Sequence, residues 1–101
     1  MSEDTRLSRI LACVKDPVRM RILFLLIKRG RMNVGDISKE FDISRPAISH
    51  HLKVLREAEV FSSAKKGQEV YYWPNSHIVA EALRGLADKI EAHRPQEKAN
   101  K

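Results

Sequence analysis

Ser44-Arg45-Pro46-Ala47-Ile48-Ser49-His50-His51-Leu52-Lys53-Val54-Leu55-Arg56 is the stretch on which the fold turns. Ser44 can accept a hydrogen bond from the free N–H groups of a first helical turn, and Pro46 sits where a missing N–H costs nothing. Ile48, Leu52 and Leu55 recur at helical spacing, which predicts a helix running to about Glu59 with one apolar face. Its other face carries Arg45, Ala47, Ser49, His50, Lys53 and Arg56.

Working upstream, Asn33 is a plausible cap for a short helix through about Phe41, with Ile37 and Phe41 inward. Asp42-Ile43 forms a tight turn, because Asp tolerates a left-handed backbone better than most residues. A short helix, a tight turn and a longer helix make the helix-turn-helix, in which the second helix lies in the major groove while the first braces it. Residues 31–34 are a very short strand or plain loop. Before them, Asp16-Pro17 starts a helix that ends at Gly30 and turns Val18, Ile22, Leu25 and Leu26 inward. Leu23, Phe24 and Ile27 make it apolar on more than one face, so it is expected to be the central core helix. Residues 4–15 carry Leu7, Ile10, Leu11 and Val14 on one helical face, with Ser2 or Asp4 as cap.

Downstream the period changes from 3.6 to 2. Val60 to Ala64 and Glu69 to Trp73 are strand-type runs around Lys65-Lys66-Gly67-Gln68, the pattern of a β-hairpin that Pro74 ends. Tyr71, Tyr72 and Trp73 are expected to pack in the hairpin and core rather than stack on bases. Asn75 or Ser76 opens a last helix to about His93, apolar at Ile78, Val79, Ala82, Leu83, Leu86, Ala87 and Ile90. That stripe is wider than a small domain needs. The expected architecture is mainly α with a small β-hairpin, a winged helix-turn-helix. It occupies residues 1–93 as one DNA-binding and dimerisation domain, followed by a flexible polar tail over 94–101.

Each outward residue has a chemistry suited to DNA. Arg45, in the first turn, can donate two bonds to a guanine edge. Ser49 can bond a base or a phosphate, His50 can reach the same groove, and the Ala47 methyl can meet a thymine methyl. Lys53 and Arg56 suit phosphates, which fix register without reading sequence. Lys65 and Lys66 on a protruding hairpin suit the phosphates of an adjacent groove. The plainer readings are a solvated basic surface and an edge strand guarded by charge against aggregation. His51, about 100° around the helix from His50, is expected to be a packed, hydrogen-bonded structural residue rather than half of a metal pair.

Composition agrees. The chain has 101 residues, a net charge of +6 and a pI near 9.8, which favours polyanionic partners. No run approaches the ~18 apolar residues of a membrane span, and Met-Ser-Glu-Asp lacks the order of a signal peptide. A single cysteine, Cys13, fits a reducing cytoplasm. There is no glycine-rich phosphate loop, no open metal triad and no nucleophile with a base, so no enzyme and no cofactor is expected. The rival is a winged-helix module for protein contact, which an apolar or acidic face on the fourth helix would favour.

Asp16-Pro17-Val18-Arg19-Met20-Arg21-Ile22-Leu23, the Ser44–Arg56 segment, and Gly67 followed by Tyr71-Tyr72 together resemble the ArsR/SmtB family of winged-helix repressors, over residues 5 to 93. The resemblance implies a homodimer through the first and last helices, which accounts for the wide stripe on residues 78–90. It also implies autoregulated repression relieved by a signal, often a metal, acting on an operator that is an imperfect inverted repeat. The family's Cys-Val-Cys-Asp thiolate site reads here Asn33-Val34-Gly35-Asp36, so the soft ligands are missing. Redox sensors of this kind use two cysteines; Cys13 alone is a buried structural thiol. The site between the two last helices matches at Asn75-x-His77 and Asp88-x-x-Glu91 with its spacing intact. Asn75 and Asp88 replace an Asp and a His, which leaves His77, Asp88 and Glu91 as weak zinc ligands, better suited to a harder ion such as manganese. The plainer reading is a polar cap and surface charges on an amphipathic helix.

Overall fold

The second, third and fourth helices start where short side chains catch their free N–H groups. In the computed structural model, which describes residues 3–95, the elements are α1 (Glu3–Val14), α2 (Pro17–Arg29), β1 (Met32–Asn33), α3 (Val34–Ser38), α4 (Arg45–Glu57), β2 (Phe61–Lys66), β3 (Glu69–Pro74) and α5 (Ser76–Ala92). Asp16 Oδ1 accepts from the N–H groups of Val18 at 2.8 Å and Arg19 at 3.1 Å, with Pro17 at the first helical position. Asn33 accepts from Asp36 N at 2.8 Å, and Ser44 from Ala47 N at 3.2 Å. Such caps are each worth about 1 kcal/mol. Gly30 closes α2 at φ 84°, and its N–H donates to Leu26 O.

The sheet has three strands in the order β1-β3-β2, so the segment after Gly30 is a strand and not loop. Met32 faces Tyr72, and Asn33 faces Tyr71. Between β2 and β3 the turn is only Gly67-Gln68, tighter than the expected four-residue tip. Gly67, at φ 64°, supplies the positive φ that the first turn position of a II′ hairpin needs. Lys65 and Lys66 are therefore strand residues, paired with Val70 and Glu69, and point to opposite faces of the sheet.

Ile10, Ile22, Leu26, Ile37, Ile48, Leu52, Leu55, Val60 and Phe61 are fully buried, a single core shared by α1 to α4 and β2. Three further expectations need correction. The third helix stops at Ser38 instead of Phe41, because Glu40 and Phe41 turn back in tight bonds to Ile37 and Ser38; Phe41 is half-buried beneath Arg21, 4.8 Å from its ring centroid. The fourth helix ends at Glu57. And α2 is not buried all round: Phe24 and Ile27 are 60% and 59% exposed, since only its Ile22, Leu23 and Leu26 side meets the core. Of the tail expected over 94–101, residues 96–101 lie outside the described residues, as does the candidate cap Ser2. No helix among the described residues is long and apolar enough to cross a membrane.

Past α4 the chain reverses through Glu59, a non-glycine residue at φ 65°, while Val60 N donates back to Leu55 O. Asn75 holds this corner. Its Nδ2 donates to Glu59 O at 2.8 Å, its Oδ1 accepts from Ser62 Oγ, and its own N–H donates to Val60 O. The Asn75 side chain is thus spent on the corner and makes no capping bond to α5. Left-handed backbone costs an ordinary residue roughly 1–2 kcal/mol and glycine almost nothing. The half-buried Arg6–Glu59 pair, at 3.6 Å too long for a hydrogen bond, offsets only a fraction of that. Glu59→Gly is therefore expected to raise stability by up to about 1 kcal/mol in urea unfolding; a destabilised variant would show that the carboxylate matters more than the backbone.

Candidate nucleic-acid interface

With Ile48, Leu52 and Leu55 inward, the rest of α4 has one direction left. Arg45, Ser49, His50, Lys53 and Arg56 are exposed, and Ala47 is half-buried beside them. Among the described residues no carboxylate lies within 4 Å of Arg45, Lys53 or Arg56, nor of Lys65 or Lys66 on the wing. These donors stand free toward solvent, as a polyanion-binding face requires. The face is neither apolar nor acidic. Arg45 leans toward α3: a methyl group on Gly35 would stand 3.7 Å from its Nη1 and 3.5 Å from Asn33 Oδ1.

Behind that face lies a clasp the sequence did not announce. Arg19, on the first turn of α2, donates from Nε to Cys13 O at 2.7 Å, and its Nη1 lies 3.4 Å from His51 Nδ1. One guanidinium thereby ties the end of α1 to the middle of α4. The contact needs a neutral His51 with its proton on Nε2, leaving Nδ1 to accept. His51 is half-buried and bonded, the structural role expected for it, while its ring stands 5.9 Å from that of His50 and tilted by 56°. Burial lowers the His51 pKa, and Arg19 and His50 add to the fall against an opposing pull from Asp16. Burial likewise raises the Cys13 thiol, which is enclosed in the core and not poised as a nucleophile.

The residues matching the family's last metal site do not converge within one chain. His77 is exposed and 4.0 Å from Glu81; Glu91 pairs with Arg94 at 3.5 Å. Asp88 is exposed on the same helix, and Asn75 is committed to Ser62 and Glu59. Among the described residues no three His, Cys, Asp or Glu side chains gather closely enough for a metal.

Comparison with known proteins agrees with this geometry. Residues 16–63 match the family described as "Bacterial regulatory protein, arsR family". The chain is 40% identical over 84 residues to the transcriptional repressor SdpR of Bacillus subtilis, covering 83% of this chain and 92% of that protein. It is 36% identical over 94 residues to the arsenical resistance operon repressor of Escherichia coli, covering 86% and 78%. Among solved structures, an ArsR-like transcriptional regulator from a Rhodococcus species superposes with a TM-score of 0.76 at 27% identity, over 87% of this chain and 81% of that one. These relatives are regulators and not enzymes.

The sign of the pH dependence follows from the clasp. Above the ordinary histidine value of 6.5, His51 is neutral in both folded and unfolded chains, and its contribution is complete. Below it the unfolded chain binds a proton that the folded protein resists, so stability falls as pH falls through that window. Asp16, held below the usual carboxylate value by its bonds to the Arg19 and Val18 N–H groups, adds a further loss only under more acid conditions. Melting temperature is expected to drop between about pH 7 and pH 5, and His51→Gln to lose that part of the drop. An unchanged pH profile in the variant would assign the acid sensitivity elsewhere.

Proposed function

The chain belongs to the ArsR family of bacterial regulatory proteins and is a DNA-binding transcriptional repressor of winged helix-turn-helix fold, and we propose that it works as a homodimer that represses its own operon. In this reading α4 enters the major groove and the β2–β3 wing follows the phosphate backbone. The observation that carries it is the outward face of α4: five exposed donors without acidic partners, over a stripe of completely buried Ile48, Leu52 and Leu55. Arg45, Ala47, Ser49 and His50 face bases; Lys53, Arg56, Lys65 and Lys66 face phosphates. A protein-contact role would call for an apolar or acidic face there, and this one is cationic.

Dimerisation is supported by apolar surface left uncovered where α1 and α5 pack together. Leu11, Leu83 and Ile90 are 41%, 45% and 58% exposed, and Ala82 is the only buried residue of α5. Two-fold symmetry then calls for an imperfect inverted repeat with half-sites about one helical turn apart. No metal enters this reading. Asn75 has its oxygen committed, and His77, Asp88 and Glu91 would need a second copy to meet at all.

Fluorescence anisotropy on the chain's own promoter DNA, with zinc, manganese or a chelator, is the direct test. Tight, salt-sensitive binding indifferent to metal is expected; binding weakened by a metal would instead restore the α5 site, and no specific binding at low salt would overturn the DNA reading. Arg45→Ala is expected to cost ~1–3 kcal/mol and relax sequence preference, whereas Lys53→Ala should weaken all duplexes alike and flatten the salt dependence. Leu83→Asp is expected to yield monomers in sedimentation equilibrium and to lose affinity for the full repeat; a dimeric variant would place the interface elsewhere.

A further inference from the structure

Arg31 follows the glycine that ends α2 and immediately precedes β1, and no sequence motif marks it. Its position becomes informative only through strand pairing. With Asn33 opposite Tyr71 and Met32 opposite Tyr72, Arg31 falls beside Trp73. Alternation separates the two faces of the sheet. Met32, Tyr72 and Phe61 go into the core, while Arg31, Asn33, Tyr71, Trp73, Lys66 and its strand partner Glu69 share the outward face, where among the described residues no cation lies within 4 Å of Glu69.

On that face the guanidinium carbon of Arg31 lies 4.5 Å from the centroid of Trp73 and 5.7 Å from that of Tyr71. Arg31 is exposed, and among the described residues no carboxylate is within 4 Å of it. Stacking fixes the plane of a guanidinium but leaves its edge donors free, the arrangement that suits phosphate oxygens. A cation whose only partners are rings is oriented without being neutralised.

Two neighbours give this cation a direction. Arg31, Lys66, Gly67 and Tyr71 line one open cleft, so the guanidinium reaches along the sheet to the wing tip. On the other side, a methyl group on Gly35 would meet both Arg45 Nη1 at 3.7 Å and Asn33 Oδ1 at 3.5 Å, and Asn33 is the strand partner of Tyr71. Arg31 and Lys66 therefore share one cleft at the wing, and Arg45, at the first residue of α4, stands beside the Asn33–Gly35 segment that follows Arg31 in the chain.

We propose that Arg31, held over the rings of Trp73 and Tyr71, binds a DNA backbone phosphate together with Lys66, in the open cleft beside the turn of the wing. The proposal rests on the DNA-binding reading above and adds to it a contact outside both the recognition helix and the wing. It assigns the aromatic pair an indirect part, since Trp73 and Tyr71 orient the cation and touch no base. A purely structural Arg31 would instead pin the edge strand β1 to β3 and leave DNA affinity unchanged.

The experiment is a salt series of anisotropy titrations on the full chain, using a duplex of its own promoter and a scrambled duplex. Arg31→Gln is expected to bind both duplexes about 5- to 20-fold more weakly and to flatten the log–log salt slope by about 0.9 per protomer. Arg31→Lys, which keeps the charge, should keep the slope, and both variants should melt within a few degrees of the parent. Arg31→Gln with parental affinity and slope, in a protein that Lys53→Ala does weaken, would overturn the proposal and leave the functional reading standing. A loss of affinity confined to the promoter duplex would also overturn it, since that is the mark of a base contact. If the unsubstituted chain bound neither duplex, the functional reading itself would fail.

Discussion

The enclosure of Ile48, Leu52 and Leu55 against the α1–α2–sheet core is the constraint from which the rest of the molecule's surface follows. Each buried aliphatic side chain contributes roughly 1.5–3 kcal/mol, against a few tenths to 1 kcal/mol for any ion pair on the surface. The rotation of α4 about its axis is therefore decided from inside. Once those three side chains are placed, Arg45, Ser49, His50, Lys53 and Arg56 have nowhere to go but outward. The Ser44 cap and Pro46 then set where the helix begins, and so place Arg45 at its first turn. Specificity is thus a by-product of packing: the core does not touch DNA, yet it orients every group that would.

Two polar ties finish what burial begins. Arg19 spans from the Cys13 carbonyl to His51, and Asn75 binds the Glu59 carbonyl and the Ser62 hydroxyl at the corner after α4. Both act on α4 where its apolar side chains are already enclosed, at its middle and just past its far end, and add polar ties to that packing. Each works because one side chain with several donors or acceptors bonds a backbone carbonyl and a second side chain at once, Cys13 O and His51 for Arg19, Glu59 O and Ser62 for Asn75.

What could be read in the sequence was local. Asp16, Asn33 and Ser44 at helix starts, Gly30 at a helix end and the 3.6-residue spacing of Ile48, Leu52 and Leu55 are signals spanning a few residues, and the structure places caps and core where they point. The outward face of α4 was legible for the same reason. Phe24 and Ile27 misled because composition cannot say which apolar side of α2 finds a partner within one copy. The turn at Gly67 was drawn too wide because strand pairing continues through Lys65 and Lys66, residues whose side chains favour no strand. Arg31 and Arg19 were invisible: their neighbours lie some thirty or more positions away in sequence, Trp73 in one case and His51 in the other.

Nothing lies within 4 Å of where a side chain at Gly67 would project, and the turn there is joined to the core only through the β2–β3 ladder. The hairpin is consequently a part of the molecule whose length can change without touching the buried helices. Adding residues in pairs, one to each strand twice over, would carry the tip outward by two pleats and return every cation to its original face. A single added pair would exchange the faces of Lys65 and Lys66. Footprint on the duplex and stability of the domain are in this way separately adjustable, and divergence between regulators of this shape can proceed in steps of two at the tip while the buried helices stay unchanged.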